Sequence, residues 1–266
     1  MNFICTVKQI PDPETPATAF RVDEGAMKVI PAQGIAPVVS PFDAQAVEAA
    51  LRIRDAQGGE GKITVLSAGP ASARDVIKHA LAMGADEGVL VDDPALYNNS
   101  DPFVTVQVLV AAIQKIGEYD AIFTGRQAAD WDWGVTGPGI AETLGIPSVT
   151  FAKGITANNG ALTVERVLAD GFETIEAQKP CVVTVSNELG DPRYPQLRQI
   201  MAAARKQVTV WTLADLGLSA DQLQRRITTE RLYVPVKQSN VEIIEGDTVE
   251  EQAAALARKL REAKLI

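Results

Sequence analysis

Four short apolar runs, each followed by a helical pattern, constrain this chain more than any other feature. Residues 3–7, 62–67, 88–91 and 121–123 read as strands. Ser40-Pro41 opens the first helix, with serine at the N-cap, proline at the first helical position and Asp43 in the first turn. Further helices are predicted from about 72 to 83, closed by Gly84, from 102 to 116, and after Gly137. Strands at 29–30 and 38–39 are short candidates. Such alternation with short loops predicts a mostly parallel sheet covered by helices on both faces. Ligands then sit beyond the carboxyl ends of the strands. Thr6, Ser40, Ala68 and Gly125 fall on that one rim.

The stretch 120–145 is the most informative part of the rim. Its strand breaks at Gly125 into a polar loop and resumes as a helix start. Gly134, Gly137 and Gly139 let backbone approach a ligand, and Thr136 offers a hydroxyl beside unpaired N–H groups. A helix N-terminus in that setting attracts phosphate. The spacing Gly-x-x-Gly-x-Gly is neither a dinucleotide fingerprint nor a Walker A loop. Read from the residues alone, a nucleotide site and a plain strand–helix turn with helix-packing glycines stand level.

After Pro147 the texture changes. Residues 148–151, 161–168, 173–178 and 181–185 alternate or run β-branched, with turns at 158–160 and 170–171. They predict an antiparallel extension of the same domain. A loop from Leu189 runs into a short alanine-rich helix ending near Arg205. A polar tail from 219 to 246 precedes a lone amphipathic helix over 248–264, which packs either on a partner chain or back on its own domain.

At 266 residues, 46% hydrophobic and 22% charged, the chain is long enough for a large core. Its formal charge of −9 argues against nucleic acid and anionic membranes as partners. No apolar run approaches the ~18 residues of a membrane span, and no signal peptide is read at the start. Cys5 and Cys181 lie in apolar runs and suit a reducing compartment, so the expected location is cytoplasmic. His79 is the one histidine, and a structural or surface role is expected for it. No nucleophile elbow, Cys-x-x-Cys or metal-ligand cluster accompanies it. Asp130 and Asp132 read as a turn and capping pair, with metal ligation the lesser reading. Trp131 and Trp133 suit packing, or stacking on a base or flavin. The chain reads as a binder, with no catalytic residue and no metal.

Several segments together resemble the β subunit of electron-transfer flavoproteins. They are the Val7-Lys-Gln-Ile-Pro-Asp-Pro run, Ser40-Pro-Phe-Asp, Leu66-Ser-Ala-Gly-Pro and Ala80-Leu-Ala-Met-Gly-Ala-Asp. Gly125-Arg-Gln-Ala-Ala-Asp with Thr136-Gly137 is similar to the family's nucleotide loop. The most specific segment is the run from Asp191 to Lys206, beginning Asp-Pro-Arg-Tyr-Pro-Gln-Leu. These occur in family order from residue 3 to about 210.

The resemblance implies a doubly wound, Rossmann-like α/β fold of the adenine-nucleotide α-hydrolase type, with an antiparallel extension and a C-terminal arm helix. The nucleotide-binding domain would span 1–210, including a recognition loop over 185–207, and the arm 211–266 would contact the partner subunit. It implies a heterodimer whose α subunit carries the shared, redox-active FAD. Electrons would come from acyl-CoA-type dehydrogenases and pass to a quinone-linked oxidoreductase or another acceptor. Carried over by position, the cofactor pocket takes Thr6, Ser40, Pro41, Phe42, Asp43 and Ala68. From the loop it takes Gly125, Arg126, Gln127, Ala128, Ala129 and Asp130, then Trp131, Asp132, Trp133, Gly134, Val135 and Thr136. Phe42 would face the α-subunit flavin. Docking of the dehydrogenase falls to Pro192, Arg193, Tyr194, Leu197, Ile200 and Met201, with Leu197 as the apolar anchor.

Departures matter for the cofactor. Ser40 stands where an asparagine is usual, which keeps a cap and loses an amide. The run Asp-Trp-Asp-Trp-Gly-Val-Thr differs from both common loop versions. Thr136-Gly137 is closer to the AMP type, while Arg126 and the Pro-Asp-Pro entry resemble the electron-bifurcating branch, which holds a second FAD and reacts with NADH. AMP is the expected nucleotide, with a second FAD the alternative. A stand-alone adenine-nucleotide sensor or hydrolase is the competing class, but the rim loops offer no phosphate-gripping lysine or clear general base for hydrolysis.

Overall fold

Phe3–Thr6 (β1) is buried along its whole length, because its side chains feed cores on both faces of a sheet. A computed structural model of the chain describes residues 1–97, 101–158, 160–223, 225–235 and 241–266. Two small antiparallel pairs follow β1: Gln9–Ile10 (β2) with Val38–Val39 (β5), and Arg21–Asp23 (β3) with Lys28–Ile30 (β4). The α/β pattern then proceeds through Pro41–Ala56 (α1), Ile63–Ala68 (β6), Arg74–Met83 (α2), Glu87–Val91 (β7), Pro102–Ile116 (α3), Ala121–Gly125 (β8) and Thr136–Leu144 (α4). Gly84 ends α2 at a φ of 132°, a conformation that favours glycine.

Three long strands come next, Ser148–Asn158 (β9), Ala161–Leu168 (β10) and Gly171–Ala177 (β11), before Cys181–Val185 (β12). Leu197–Arg205 (α5) and Val208–Trp211 (β13) complete a nine-stranded sheet of order β11-β10-β9-β12-β8-β1-β6-β7-β13. Phe3, Cys5 and Phe123 point to the face covered by α1 and α2, whereas Ile4 and Ile122 meet α3 and α4. The fold is therefore doubly wound, as the alternation requires. Strand order reverses between β1 and β8, opening a crevice at their carboxyl ends.

Two expectations need correction. The run 181–185 is not part of an antiparallel extension. It pairs in parallel with β8, from Cys181 against Ala121 to Val185 against Gly125, and in parallel with β9. Its five residues are all buried, as suits a central strand covered on both faces, and it lacks the alternation of a half-exposed strand. Within the nine-stranded sheet, the antiparallel pairs among the described residues are β9 with β10 and β10 with β11. Ser40 does hold the N-cap position of α1, but its side chain caps nothing, and among the described residues its buried Oγ has no partner.

The turn read at 158–160 includes residue 159, and the polar tail includes 224 and 236–240, all outside the described residues. The chain divides into two compact units, 1–232 and 233–266. The first passes the expected limit at 210 because β13 pairs with β7 and Leu213 enters the α3 core. Asp101 also accepts backbone N–H groups from Arg226 and Ile227. The second unit carries Val249–Glu262 (α6), capped by Thr248 Oγ, which accepts the Glu251 N–H at 3.2 Å. No described helix is long and apolar enough to cross a membrane.

Candidate functional site

The crevice beside β1 and β8 is built largely by what its residues lack. A Cβ on Gly125 would lie 2.6 Å from Asp43 Oδ1 and 2.8 Å from the Phe42 carbonyl carbon. Hydrogen at that position lets the end of β8 touch the first turn of α1. Asp43 closes the contact: its Oδ1 accepts the Gly125 N–H at 3.0 Å and its Oδ2 the Lys8 N–H at 2.9 Å. Burial pushes the Asp43 carboxyl up to about 7, against the pull of those two N–H groups and of the Lys8 charge. Lys8 in turn pairs with Asp130 at 2.7 Å, tying the β1 end to the loop after β8.

That loop is held by its own side chains. Gln127 donates to Asp132 Oδ1 at 2.7 Å, and the Asp132 N–H donates to the Ala128 carbonyl at 2.9 Å. This is the turn role expected of Asp132. Arg126 lies over the Phe42 ring at 5.0 Å and the Phe151 ring at 5.7 Å. Its Nη1 donates to Ser186 Oγ and Asn187 Oδ1 at 3.3 and 3.2 Å. Phe151 adopts a φ of 58°, unusual for a bulky residue, at an irregularity where β9 meets β12.

The glycines of α4 serve packing. A Cβ on Gly137 would sit 2.6 Å from Thr184 Cγ2 and 2.7 Å from Thr124 Oγ1, and one on Gly139 2.8 Å from Val106 Cγ2. Protein fills the Cβ position of both, so the missing side chain is used for helix packing, and only the backbone N–H of Gly137 is left to face a ligand. Gly134 differs: its φ is 66°, and a Cβ there would lie 3.5 Å from the Arg126 carbonyl oxygen, in ordinary contact. Pro138 has no N–H, so the first turn of α4 offers the orphan donors of Thr136 and Gly137.

A cleft of about 160 Å³ results. Of the expected residues, Thr6, Asp43, Ala68, Gly125, Arg126, Gln127, Ala128, Trp131, Trp133, Gly134 and Thr136 line it. Ser40, Pro41, Phe42, Ala129, Asp130, Asp132 and Val135 flank these in sequence without lining it. Val7, Lys8, Leu96, Pro102, Thr105, Val108, Leu109 and Thr124 also line it and were missed. Asp101-Pro102 carried a signal: the Asp101 side chain accepts the Phe103 N–H at 2.8 Å, starting a second helix on the rim. The chemistry fits an adenine nucleotide. Aliphatic and indole surfaces offer an apolar wall, hydroxyls suit ribose, and the α4 donors suit phosphate.

The second group lies on α5 and on the segment that leads into it. Tyr194 and Leu197 are 88% and 73% exposed, and Ile200 and Met201 are also exposed. Pro192 and Arg193 are half-buried, with Arg193 turned inward to Glu48 and Asp55. Lys78 clasps the helix end through the carbonyls of Ala203, Ala204 and Lys206. Cys5 and Cys181 are buried free thiols, and burial raises both. His79 lies on an exposed position of α2, and desolvation lowers it.

Comparison with known proteins adds an independent view. The model of the electron transfer flavoprotein domain matches residues 28–216. The caffeyl-CoA reductase–Etf complex subunit CarD of Acetobacterium woodii is 35% identical, over 100% of both chains. The electron transfer flavoprotein subunit beta of Thermoanaerobacterium thermosaccharolyticum is 40% identical over 84% of this chain and 83% of its own. The acryloyl-CoA reductase electron transfer subunit gamma of Anaerotignum propionicum is 37% identical over 78% and 76%.

Proposed function

This chain belongs to the electron transfer flavoprotein family as a subunit of beta type, and on that premise we propose how its residues serve electron transfer. Its role is that of an electron-transfer subunit, paired with an alpha subunit and with dehydrogenase or reductase partners. In our reading it carries no catalytic residue of its own. It holds an adenine nucleotide at the β1–β8 crevice and presents α5 to an acyl-CoA-type oxidoreductase. The alpha subunit supplies the redox-active FAD, and a quinone-linked or other acceptor takes the electrons.

The observation that carries the nucleotide reading is the meeting of three chain segments at Asp43. They are the end of β1, the start of α1 and the Gly125 loop, and the N-terminus of α4 lines the same cleft. AMP is the first occupant we propose, with Trp131 and Trp133 narrowing the mouth. A second reading puts a further FAD there. Arg126 and the Pro-Asp-Pro entry, which resemble the electron-bifurcating branch, support it, and full-length similarity to a subunit of a caffeyl-CoA reductase–Etf complex extends the partner class to acyl-CoA reductases.

Denaturing the purified heterodimer and counting the released cofactors tests both. One FAD and one AMP support the first reading, and two FAD without AMP the second. One FAD with no other adenine nucleotide would overturn the assignment of the cleft.

A further inference from the structure

A carboxylate in the middle of α1 is buried without any part in the nucleotide cleft. Glu48 is 4% exposed, on a helix whose buried neighbours include Ala46, Val47, Ala49 and Ala50. Its bonds run to the segment 187–196 that leads into α5. Oε2 accepts the Arg193 N–H at 3.2 Å and Nε–H at 2.7 Å, and Oε1 accepts Arg193 Nη2 at 3.3 Å and Arg52 Nε at 2.9 Å. Burial pushes its carboxyl up, but the bonds from Arg193 and Arg52 outweigh it and hold it below the usual range. Arg193 also reaches Asp55 at 2.9 Å.

The same helix satisfies the backbone of this segment. Gln45 donates to the carbonyls of Asn187 and Gly190, and Arg52 to those of Leu189 and Asp191. Beyond one short turn at Asn187–Leu189, no helix or strand occurs between 187 and 196. The path of the segment is therefore set by side chains of α1 instead of a ladder of its own. Such strapping fixes one end of α5, and Lys78 fixes the other. Between them lies the exposed face of Tyr194, Leu197, Ile200 and Met201. A buried ion pair is weak support for stability, because desolvation offsets its attraction. Its value here is geometric.

We propose that Glu48 is a positioning residue for docking: through Arg193 it holds the strap 187–196 so that the apolar face of α5 meets the partner already ordered. This rests on the reading of α5 as the docking element. An ordered strap avoids the entropy of fixing those residues at encounter.

The test uses the full heterodimer and a short-chain acyl-CoA dehydrogenase that reduces the wild type. Glu48→Gln keeps size and one acceptor, and Arg193→Gln changes a half-buried side chain, so one route remains if the other variant fails to assemble. Each is expected to raise the KM for the heterodimer on the order of tenfold, the scale of a charge-assisted bond, with kcat nearly unchanged. Strap amides should exchange hydrogen faster while the cofactor count stays the same. The double variant should be no worse than the stronger single, since both remove one interaction. An unchanged KM in both variants, beside a raised KM for Leu197→Ala, would overturn the latch alone. Multiplying effects in the double variant would also overturn it. An unchanged KM in all three would remove the docking reading and the latch with it.

Discussion

The rim around Gly125 and the strap 187–196 both lean on α1, and they are built in opposite ways. At the rim the decisive feature is a missing side chain, which lets backbone come close enough for the Asp43 carboxylate to bridge it. Gly125 and Gly137 let a loop and a helix sit where a Cβ would overlap Asp43, Phe42, Thr184 or Thr124. Along the strap the contacts are made by long side chains of α1: Gln45 and Arg52 reach backbone carbonyls far away in sequence, and Glu48 reaches the Arg193 N–H and guanidinium. The rim is thus intolerant of added atoms, whereas the strap has solvent on its outer side. A close-packed interior transmits a misfit, and a surface segment relaxes around one.

The hardest test of that contrast is Gly125→Ala. The new methyl would meet the Phe42 backbone 2.8 Å away, which is not the far end of a flexible side chain. We expect about 3 kcal/mol of lost stability, at the upper end for overpacking. Loss of the bound nucleotide should follow, because the Asp43 bridge to the Gly125 N–H cannot survive the shift. Denaturant unfolding and a cofactor count on the same sample check both. Full stability with nucleotide retained would show that the rim yields as the strap does.

A smaller effect is expected from pH. The Asp43 carboxyl is raised from 3.8 to about 7, with burial as the main cause and Lys8 and Asp130 the nearby charges. The folded state then holds this proton more tightly than the unfolded chain. Its contribution to stability is full below about pH 4 and is lost as pH rises through about 7. Melting temperature should fall by several degrees across that window from this group. Asp43→Asn should flatten that part of the profile. A variant profile parallel to the wild type would locate the titration elsewhere.

The same contrast explains what the sequence disclosed. Strand, turn and cap signals are local, so β1, α1, β6, α2, β7, α3, β8 and α4 were readable from residues 3–144. The rim followed from them, because topology alone puts Thr6, Ala68 and Gly125 together. The neighbours of a glycine are not local. Gly137 reads as ligand-facing in the sequence, whereas its Cβ position is taken up by Thr184, on a strand 47 positions later. The parallel pairing of 181–185 is hidden in the sequence for a related reason. The continuous burial of that run is visible as Cys-Val-Val-Thr-Val, but preceding hairpins suggest an antiparallel neighbour, and the pairing partner lies 60 residues back. Arg193, the long-range partner of Glu48, lies 145 positions away, and nothing in the sequence pairs the two.

The least effect on stability, and the sharpest on function, is expected from Leu197→Ala. Leu197 opens α5 and is 73% exposed, so truncation removes little buried area and should change unfolding free energy by no more than about 0.5 kcal/mol. If that side chain instead fills a pocket on the dehydrogenase, truncation costs about 2 kcal/mol of binding, the scale of an interface hot spot. Transfer from the dehydrogenase should then weaken by roughly tenfold or more, with flavin and nucleotide content unchanged. The two measurements belong together, since exposure makes Leu197 cheap to remove from the free protein and costly to remove from the complex. Equal transfer rates for variant and wild type would make the exposed row of α5 an ordinary surface.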